Sequence, residues 1–331
     1  MSSNSGYRSF DRQYLIADSR LIHRPAPPIW EARIPGQIYA VELHSEYPRS
    51  GPGLSFSALI PDMHFFRGSG GGRTLPLLHP DGTANVAPGL TESLGAIHGR
   101  FLPAEEVLFY MAGIASHPGF VETFDAELHT PGVRIPITSD PGLWNRAVEL
   151  GKYVIWLHTY GDKGAHPRGS SHVRAEQAEL TLPSYDASVG TAMPAGIEYD
   201  SDLETIGLGA GRWTNVTAEV RNYTVGGSNV LDSWIGYRRA DPRGKRTSPL
   251  DDLIETSWPG EGSLEFIELL SVLTQLVALQ PKQEQLLADV LASPLVSRTD
   301  LEQRGTSWPT NPKHRRVRRV DPNQMSGTDL S

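Results

Sequence analysis

The segment from Pro141 to His158 constrains the fold most, because it has the pattern of an amphipathic helix. Asp140 can accept hydrogen bonds from the first free backbone amides of such a helix, and Pro141 suits its first turn. Apolar side chains recur at helical spacing, namely Leu143, Trp144, Ala147, Val148, Gly151, Val154 and Ile155. The pattern predicts a helix with one buried face, which other elements must cover.

Further helices are predicted on both sides of this segment. Pro103 to Ser116 has a proline at its start and two glutamates in its first turn, and Phe120 to Leu128 follows as a short helix. Ser263–Leu279 and Lys282–Leu291 are predicted to form a helical hairpin that Pro281 breaks. Four tryptophans are expected in the core: Trp144, Trp156, Trp213 and Trp234.

Short runs of β-forming residues occupy much of the remaining chain. The predicted strand segments are 38–43, 54–60, 197–199, 205–208, 211–214, 218–225 and 233–238. Many glycines and prolines, 33 and 26 in number, predict long loops between them. We therefore expect a mixed α+β fold with four parts: a β-rich part (1–100), a helical part (101–180), a second β-rich part with the closing helical hairpin (181–295) and a disordered basic tail (296–331).

Composition favours a protein of the cytoplasm without disulfides. There are no cysteines, which also excludes cysteine-ligated zinc and cysteine nucleophiles. The N-terminus lacks a signal-peptide pattern. The most apolar stretch, Leu264 to Leu279, contains Glu265 and Glu268, so no membrane span is expected.

Charge is distributed unevenly along the chain. The formal net charge of -8 argues against a protein that coats DNA non-specifically. Residues 175–211 contain acids but no lysine or arginine, whereas residues 212–246 are rich in basic side chains. Arginines outnumber lysines by 25 to 5, which suits bidentate contacts with phosphate or guanine, although GC-rich codon usage produces the same bias.

Common catalytic motifs are absent. No Asn/Asp-Pro-Pro-aromatic loop of an amino-methyltransferase occurs, and Thr74-Leu-Pro76 follows the Gly68–Arg73 cluster where a nucleotide-binding loop needs a helix. No lysine has an acid two positions before it, and neither Gly-x-Ser-x-Gly nor His-Glu-x-x-His is present. Asp62 with His64, or His166 with His172, are metal-ligand types, but ordinary histidines explain them as well. No metal is expected, and a binding module is a better interpretation than an enzyme.

The first residues open a series of segments in a defined order. Tyr7–Tyr14 combines two arginines, an aspartate and three aromatic residues. The segments that follow are Leu54–His64, Gly70–Arg73, Leu75–Leu77, Phe109–Pro118, Thr130–Pro136, Ala147–Gly151, Leu157–Tyr160, Ser233–Arg238, Ser248–Asp251 and Glu268–Leu270. This ordered set resembles the C-terminal target-recognition, or specificity, domain of type ISP restriction–modification enzymes, over residues 7 to 295.

The resemblance implies sequence-specific binding of duplex DNA. It also implies docking to an adenine methyltransferase that flips the target base. The chain begins where the methyltransferase domain of the family should already have ended. Methylation and cleavage are therefore not carried over, no cofactor is expected in this chain, and S-adenosylmethionine is expected in a partner methyltransferase chain. The alternative is an interaction or assembly protein, or a gene remnant, that keeps the fold without reading DNA.

Basic and polar side chains near predicted turns are the candidates for DNA contact. A turn at Asp241–Gly244 lies within the strongest group: Arg238, Arg239, Arg243, Lys245 and Arg246. Predicted strands carry Arg212, Arg221 and Asn222, the glycine cluster is flanked by Arg67 and Arg73, and a polar loop holds Lys163, Arg168 and Arg174. Solvated surface positions are the alternative for each of these groups.

Two further basic groups have other expected roles. Arg8 and Arg12 are predicted to form structural ion pairs with Asp11 or Asp18, or to contact the methyltransferase. The segment Lys313–Arg319 is interpreted as a basic tail. It either adds non-specific affinity for DNA or is simply solvated.

Overall fold

The protein is described by a computed structural model that covers residues 2–318, except 17, 19, 21–26, 45, 67–71, 175–178, 188 and 241–256. Its strands are β1 (Ser2–Arg8), β2 (Asp11–Ile16), β3 (Tyr39–Glu42), β4 (Leu54–Ser57), β5 (Ile60–Pro61), β6 (Arg73–Pro76), β7 (Ser184–Ala187), β8 (Glu198–Asp200), β9 (Thr205–Leu208), β10 (Gly211–Thr214), β11 (Thr224–Val225) and β12 (Ser228–Asn229). Its helices are α1 (Pro27–Glu31), α2 (Leu90–His98), α3 (Ala104–Ala115), α4 (Pro118–Thr123), α5 (Asp125–Leu128), α6 (Pro141–His158), α7 (Ala218–Arg221), α8 (Val230–Ile235), α9 (Gly262–Ala292) and α10 (Arg298–Gln303), followed by a 3₁₀ helix at Pro312–Arg315. The expected α+β class is confirmed.

Helix α6 has the bounds that its sequence predicts. The Asp140 carboxylate accepts hydrogen bonds from the amides of Gly142 and Leu143, at 2.7 and 2.9 Å. The helix crosses α3 so closely that Gly151 meets the backbone of α3 at Phe109 and Gly113. This helix pair anchors the molecule, and all four tryptophans expected in the core are buried.

Helix α9 is continuous and corrects the predicted helical hairpin. Pro281 lies inside it and is exposed, while buried residues occur on both sides of the proline, including Leu276 and Leu286. The missing amide hydrogen bond weakens the helix locally, but packing against α3, α4 and α6 fixes both halves. The helix is long and apolar enough to span a membrane, yet 72% of its most apolar window is buried in the protein, as in a core helix.

Small sheets pack around these helices. One sheet has the order β2-β1-β5, with β1 and β5 parallel, and another has the order β4-β3-β6. A four-stranded antiparallel sheet has the order β7-β10-β9-β8, and Trp213 from β10 contacts Phe266 of α9 with ring centroids 5.0 Å apart. The strands at 205–208 and 211–214 are confirmed, whereas α2 was not predicted.

Two predicted strands are helical instead. Residues 218–221 form α7, and residues 230–235 form α8, where segments 218–225 and 233–238 were expected to be extended. Both helices have side-chain caps: Thr217 accepts from the amide of Val220, and Asn229 accepts from that of Asp232. The caps satisfy free amides at the first turns and offset the β preference of the aromatic residues.

The described residues after α9 correct the prediction of a disordered tail. Helix α10 begins with a capping box between Ser297 and Asp300, and its Leu301 is buried. Thr306 is also buried, and its hydroxyl lies 2.8 Å from that of Ser93 on α2. The chain from 298 to 318 is therefore packed on the domain, while residues 319–331 lie outside the described part.

Candidate nucleic-acid interface

The hairpin between β1 and β2 is fastened into the protein core at its tip. Ser9 and Phe10 form the turn, and Phe10 has a left-handed backbone with φ of 63°. Its buried ring packs against His158, with centroids 4.8 Å apart, and against Tyr223. The Tyr160 hydroxyl donates to the Phe10 carbonyl at 2.8 Å. These contacts offset the strain of the turn and fix the flanking residues Arg8 and Asp11.

Asp11 forms a buried ion pair with Arg238, across 227 positions of sequence. The guanidinium lies 2.7 Å from the carboxylate, Asp11 is 1% exposed, and Arg238 is 12% exposed. Arg238 also donates to the Trp234 carbonyl and covers the Trp234 ring at 4.1 Å. Arg238, one of the five strongest candidates for DNA contact, therefore has a structural partner inside the protein.

Arg8 connects two parts of the chain that contain candidates for DNA contact, the region of the glycine cluster and the region of Arg238. Its guanidinium donates to the carbonyls of His64 and Phe66, just before the glycine cluster, and to the Tyr237 hydroxyl, just before Arg238. Tyr7 packs edge-on against Tyr237, with ring centroids 5.1 Å apart. Arg8 thus pairs with backbone and tyrosine rather than with an aspartate, which corrects its expected ion pair.

A cleft of about 300 Å³ lies beside this junction. Its lining includes Arg8, Phe65, Ser228 and Tyr237. The Ser228 hydroxyl is buried and has no hydrogen-bond partner among the described residues. Arg239 lies two residues after Tyr237 in the sequence and is half-buried, and its Nε is buried without a partner in the described part of the chain. Unpaired buried polar groups are costly, so the Ser228 side of the cleft suits a ligand that forms hydrogen bonds.

Sequence comparison with models of known families gives a match to the Type ISP C-terminal specificity domain over residues 2–269. That range covers most of the chain. The chain belongs to this family. The specificity domain has no match among curated protein sequences.

The specificity domain also resembles parts of three solved structures. These are a nuclease-deletion mutant of the type ISP enzyme LlaGI in complex with a DNA substrate mimic (15% identity, TM-score 0.56), a DrdV–DNA complex (14%, 0.62) and the ATP-dependent type ISP enzyme LlaBIII bound to DNA (13%, 0.56). The matches cover 90%, 87% and 87% of this chain but only 25%, 28% and 18% of the other chains. At such identities the likeness is one of fold.

Other predicted contact residues of the specificity domain are engaged in structural interactions. Arg221 pairs with Asp232 at 3.0 Å, and Asn222 ends α7. Arg221 is the last residue of α7 and Asn222 follows it, so neither lies on a strand, which corrects the prediction. Arg212 on β10 donates to the carbonyls of Gly209 and Gly211.

The remaining candidates are spread over several surfaces. Arg73 pairs with the buried Glu42 at 2.6 Å, and Lys163 lies 3.3 Å from Asp162. Arg168 is exposed, and burial lowers the pKa of Arg174. The structure therefore does not bring these four together with the cleft. Four more candidates lie outside the described residues: Arg67, Arg243, Lys245 and Arg246.

The sequence did not indicate Arg238 as the partner of Asp11, or Tyr237 as the partner of Arg8. Arg12, in turn, was expected to pair with Asp11 or Asp18, but it pairs with Glu268 of α9 at 2.9 Å and covers the Tyr160 ring at 3.9 Å. These pairs join residues more than 140 positions apart, so no local pattern signals them. The one available signal was the concentration of charge and aromatic rings in 7–14.

Two buried histidines predict that the specificity domain loses stability in acid. Burial lowers the pKa of His158 to about 3 and that of His117 to about 4. The unfolded chain takes up these protons below pH of about 6.5, whereas the folded chain does not, so stability falls as pH falls. We expect unfolding in urea at pH 5.5 to cost about 3 kcal/mol less than at pH 7.5 through these two residues.

The variant His158→Gln separates this effect from other titrations. It removes one protonation site, so the pH-dependent loss should fall by about 1.4 kcal/mol, whatever its stability at neutral pH. An undiminished loss would mean that His158 does not stay neutral in the folded protein.

Proposed function

We propose that this chain recognises a specific sequence in duplex DNA, as the specificity module of a type ISP-like restriction–modification or phage-defence system. The single observation that carries the proposal is the family match over residues 2–269. The fold likeness to enzymes solved with DNA supports it. Methyl transfer would belong to an adenine methyltransferase partner, which binds S-adenosylmethionine and flips the target base.

The basic segment that follows Tyr237 is the proposed reading region. Arg239 supplies a donor that lacks an acceptor among the described residues, and a guanine edge or a phosphate would provide one. Arg243, Lys245 and Arg246 continue this basic segment in the sequence. Arg238 is left out of the proposed contact set because it is committed to Asp11.

An interaction protein that no longer reads DNA is the second candidate function. The observation in its favour is the acidic sheet region, where Glu198, Asp200, Asp202 and Glu204 are all exposed. This surface repels phosphate and suits a protein partner. The two candidates differ in whether the chain prefers one DNA sequence over others.

Selection from a randomised duplex library tests the proposal, with and without a methyltransferase chain. We expect one short motif containing an adenine to be enriched. The variant Arg239→Gln/Arg243→Gln should weaken binding to that motif by about 1–3 kcal/mol, or about fivefold to 150-fold, by removing direct contacts.

Tyr14→Phe is the matched control, because Tyr14 is 77% exposed on the edge strand β2. It should leave both the motif and the affinity unchanged. Equal binding to all sequences by the wild-type chain would exclude the reading function and leave the interaction protein. A preserved motif and affinity in the double arginine variant would place the reading contacts elsewhere.

A further inference from the structure

The basic segment near the C-terminus is held on the domain surface. Ser307 donates its amide to the Pro88 carbonyl at 2.9 Å, and Asn311 caps the 3₁₀ helix by accepting from the Lys313 amide at 2.9 Å. Arg315 donates through Nε to the Pro309 carbonyl at 2.6 Å. These bonds give the segment a defined path instead of the freedom of a solvated tail.

His79 fixes the far end of this segment. The amide of Arg318 donates to His79 Nδ1 at 3.2 Å. Burial, and then the neighbouring Arg318 charge, lower the pKa of His79, so the ring stays neutral and can accept this bond. Ordering the segment costs conformational entropy, which these contacts and the buried Leu301 offset.

Four cations are exposed within six residues of this segment, and we call them the C-terminal basic patch: Lys313, Arg315, Arg316 and Arg318. Among the described residues, the only carboxylate within 4.0 Å of their charged groups is Asp81, which lies 3.9 Å from Arg318. Both members of that pair are at least half exposed, so the pair neutralises little charge. The patch is positive on a chain whose net charge is -8.

We propose that the C-terminal basic patch binds the phosphate backbone of DNA beside the recognised sequence, without reading bases. This inference rests on the proposed function, because it takes duplex DNA as the partner. Four exposed cations within six residues suit the repeated phosphates of a nucleic acid better than a point-like anion, and each contact releases counterions. The patch lies beyond residue 269, where the family match ends.

The salt dependence of binding tests this proposal. The variant Lys313→Gln/Arg316→Gln/Arg318→Gln removes three charges but keeps the Arg315 bond to Pro309 and the backbone bond to His79. We expect the slope of log K against log salt to become shallower by about 2 to 3 between about 50 and 200 mM salt. The ratio of affinities for the selected and a scrambled duplex should stay unchanged, because phosphate contacts carry no sequence information.

A second triple variant controls for net charge. Arg134→Gln/Arg146→Gln/Lys282→Gln removes the same charge at exposed positions outside the patch. Its slope should change by less than about 1. The patch would be excluded as a DNA surface if the two triple variants had equal slopes. It would also be excluded if the patch variant had the same slope as the wild type.

The outcomes separate this inference from the proposed function. If the wild-type chain prefers no sequence, the reading function fails, while the slope on scrambled DNA still tests the patch. If the patch variant keeps its slope but loses binding to a methyltransferase chain, the patch is a protein surface and the inference is overturned. Thermal unfolding of each variant checks that the exposed substitutions leave the fold intact.

Discussion

Arg238→Ala is expected to lower the free energy of unfolding by about 3–5 kcal/mol. The substitution leaves the Asp11 carboxylate buried without its counter-ion, and one of the two carboxylate oxygens already lacks a partner among the described residues. It also removes the cation over the Trp234 ring and the hydrogen bond to the Trp234 carbonyl. Equilibrium unfolding in urea measures the loss.

A double-mutant cycle identifies the origin of this loss. Asp11→Ala alone should be similarly costly, and the double variant should lose less than the sum of the two. The control is Arg221→Ala. Arg221 pairs with Asp232 at a similar distance, 3.0 Å, but the Asp232 side chain is 43% exposed, whereas Asp11 is buried. Its cost should be below about 1 kcal/mol, and equal costs for the two arginines would contradict a special role of the buried pair.

The Arg238→Ala variant also tests whether Arg238 contributes to DNA reading in addition to stability. At a temperature where Arg238→Ala remains folded, its sequence preference should equal that of the wild type, because the guanidinium faces Asp11. A lost preference in the folded variant would restore Arg238 as a base contact.

Gly151→Ala is expected to destabilise the protein by about 3 kcal/mol or more. A Cβ on Gly151 would overlap the carbonyl oxygen of Phe109 and lie 2.9 Å from the Gly113 nitrogen. Both are backbone atoms of α3, so the two helices must separate along their length. Alanine favours a helix by about 1 kcal/mol over glycine, which is too little to offset the lost packing.

Thermal and urea unfolding check this prediction. Gly196→Ala is the control, because a Cβ there meets nothing within 4 Å; its stability should be unchanged or slightly higher. If Gly151→Ala proved as stable as the wild type, α3 and α6 would have to tolerate a wider spacing than their contact indicates.

Local signals in the sequence predicted those elements in which the capping residue, the spacing of apolar residues and the burial of those residues all indicate the same bounds. Helix α6 has Asp140, Pro141 and a regular apolar face, and both its ends are as predicted. Segment 233–238 failed because its aromatic and branched residues favour strands, while the cap that decides the matter, Asn229, lies four residues earlier. Pro281 does not break the helix as predicted, since packing on both sides of it holds α9 together.

The candidate site was less predictable than the fold. Arginine near a turn is a reasonable signal for DNA contact, but it does not distinguish Arg238 from Arg239. Their difference arises from Asp11, which is 227 positions away and reaches Arg238 only through the packing of the hairpin. Composition predicted that basic side chains would gather after residue 212; the partner of each one depends on the tertiary structure.

The seating of the first hairpin bears on how such a domain can be transplanted between enzymes. Phe10 contacts His158 of α6, Asp11 pairs with Arg238 three residues after α8, and Arg12 pairs with Glu268 of α9. A chimaera joined after β2 would combine a foreign hairpin with this interior and leave the Arg238 guanidinium without its Asp11 partner. Junctions placed before β1 keep the interlocking residues together, so exchangeable recognition modules of this kind should be cut ahead of residue 2.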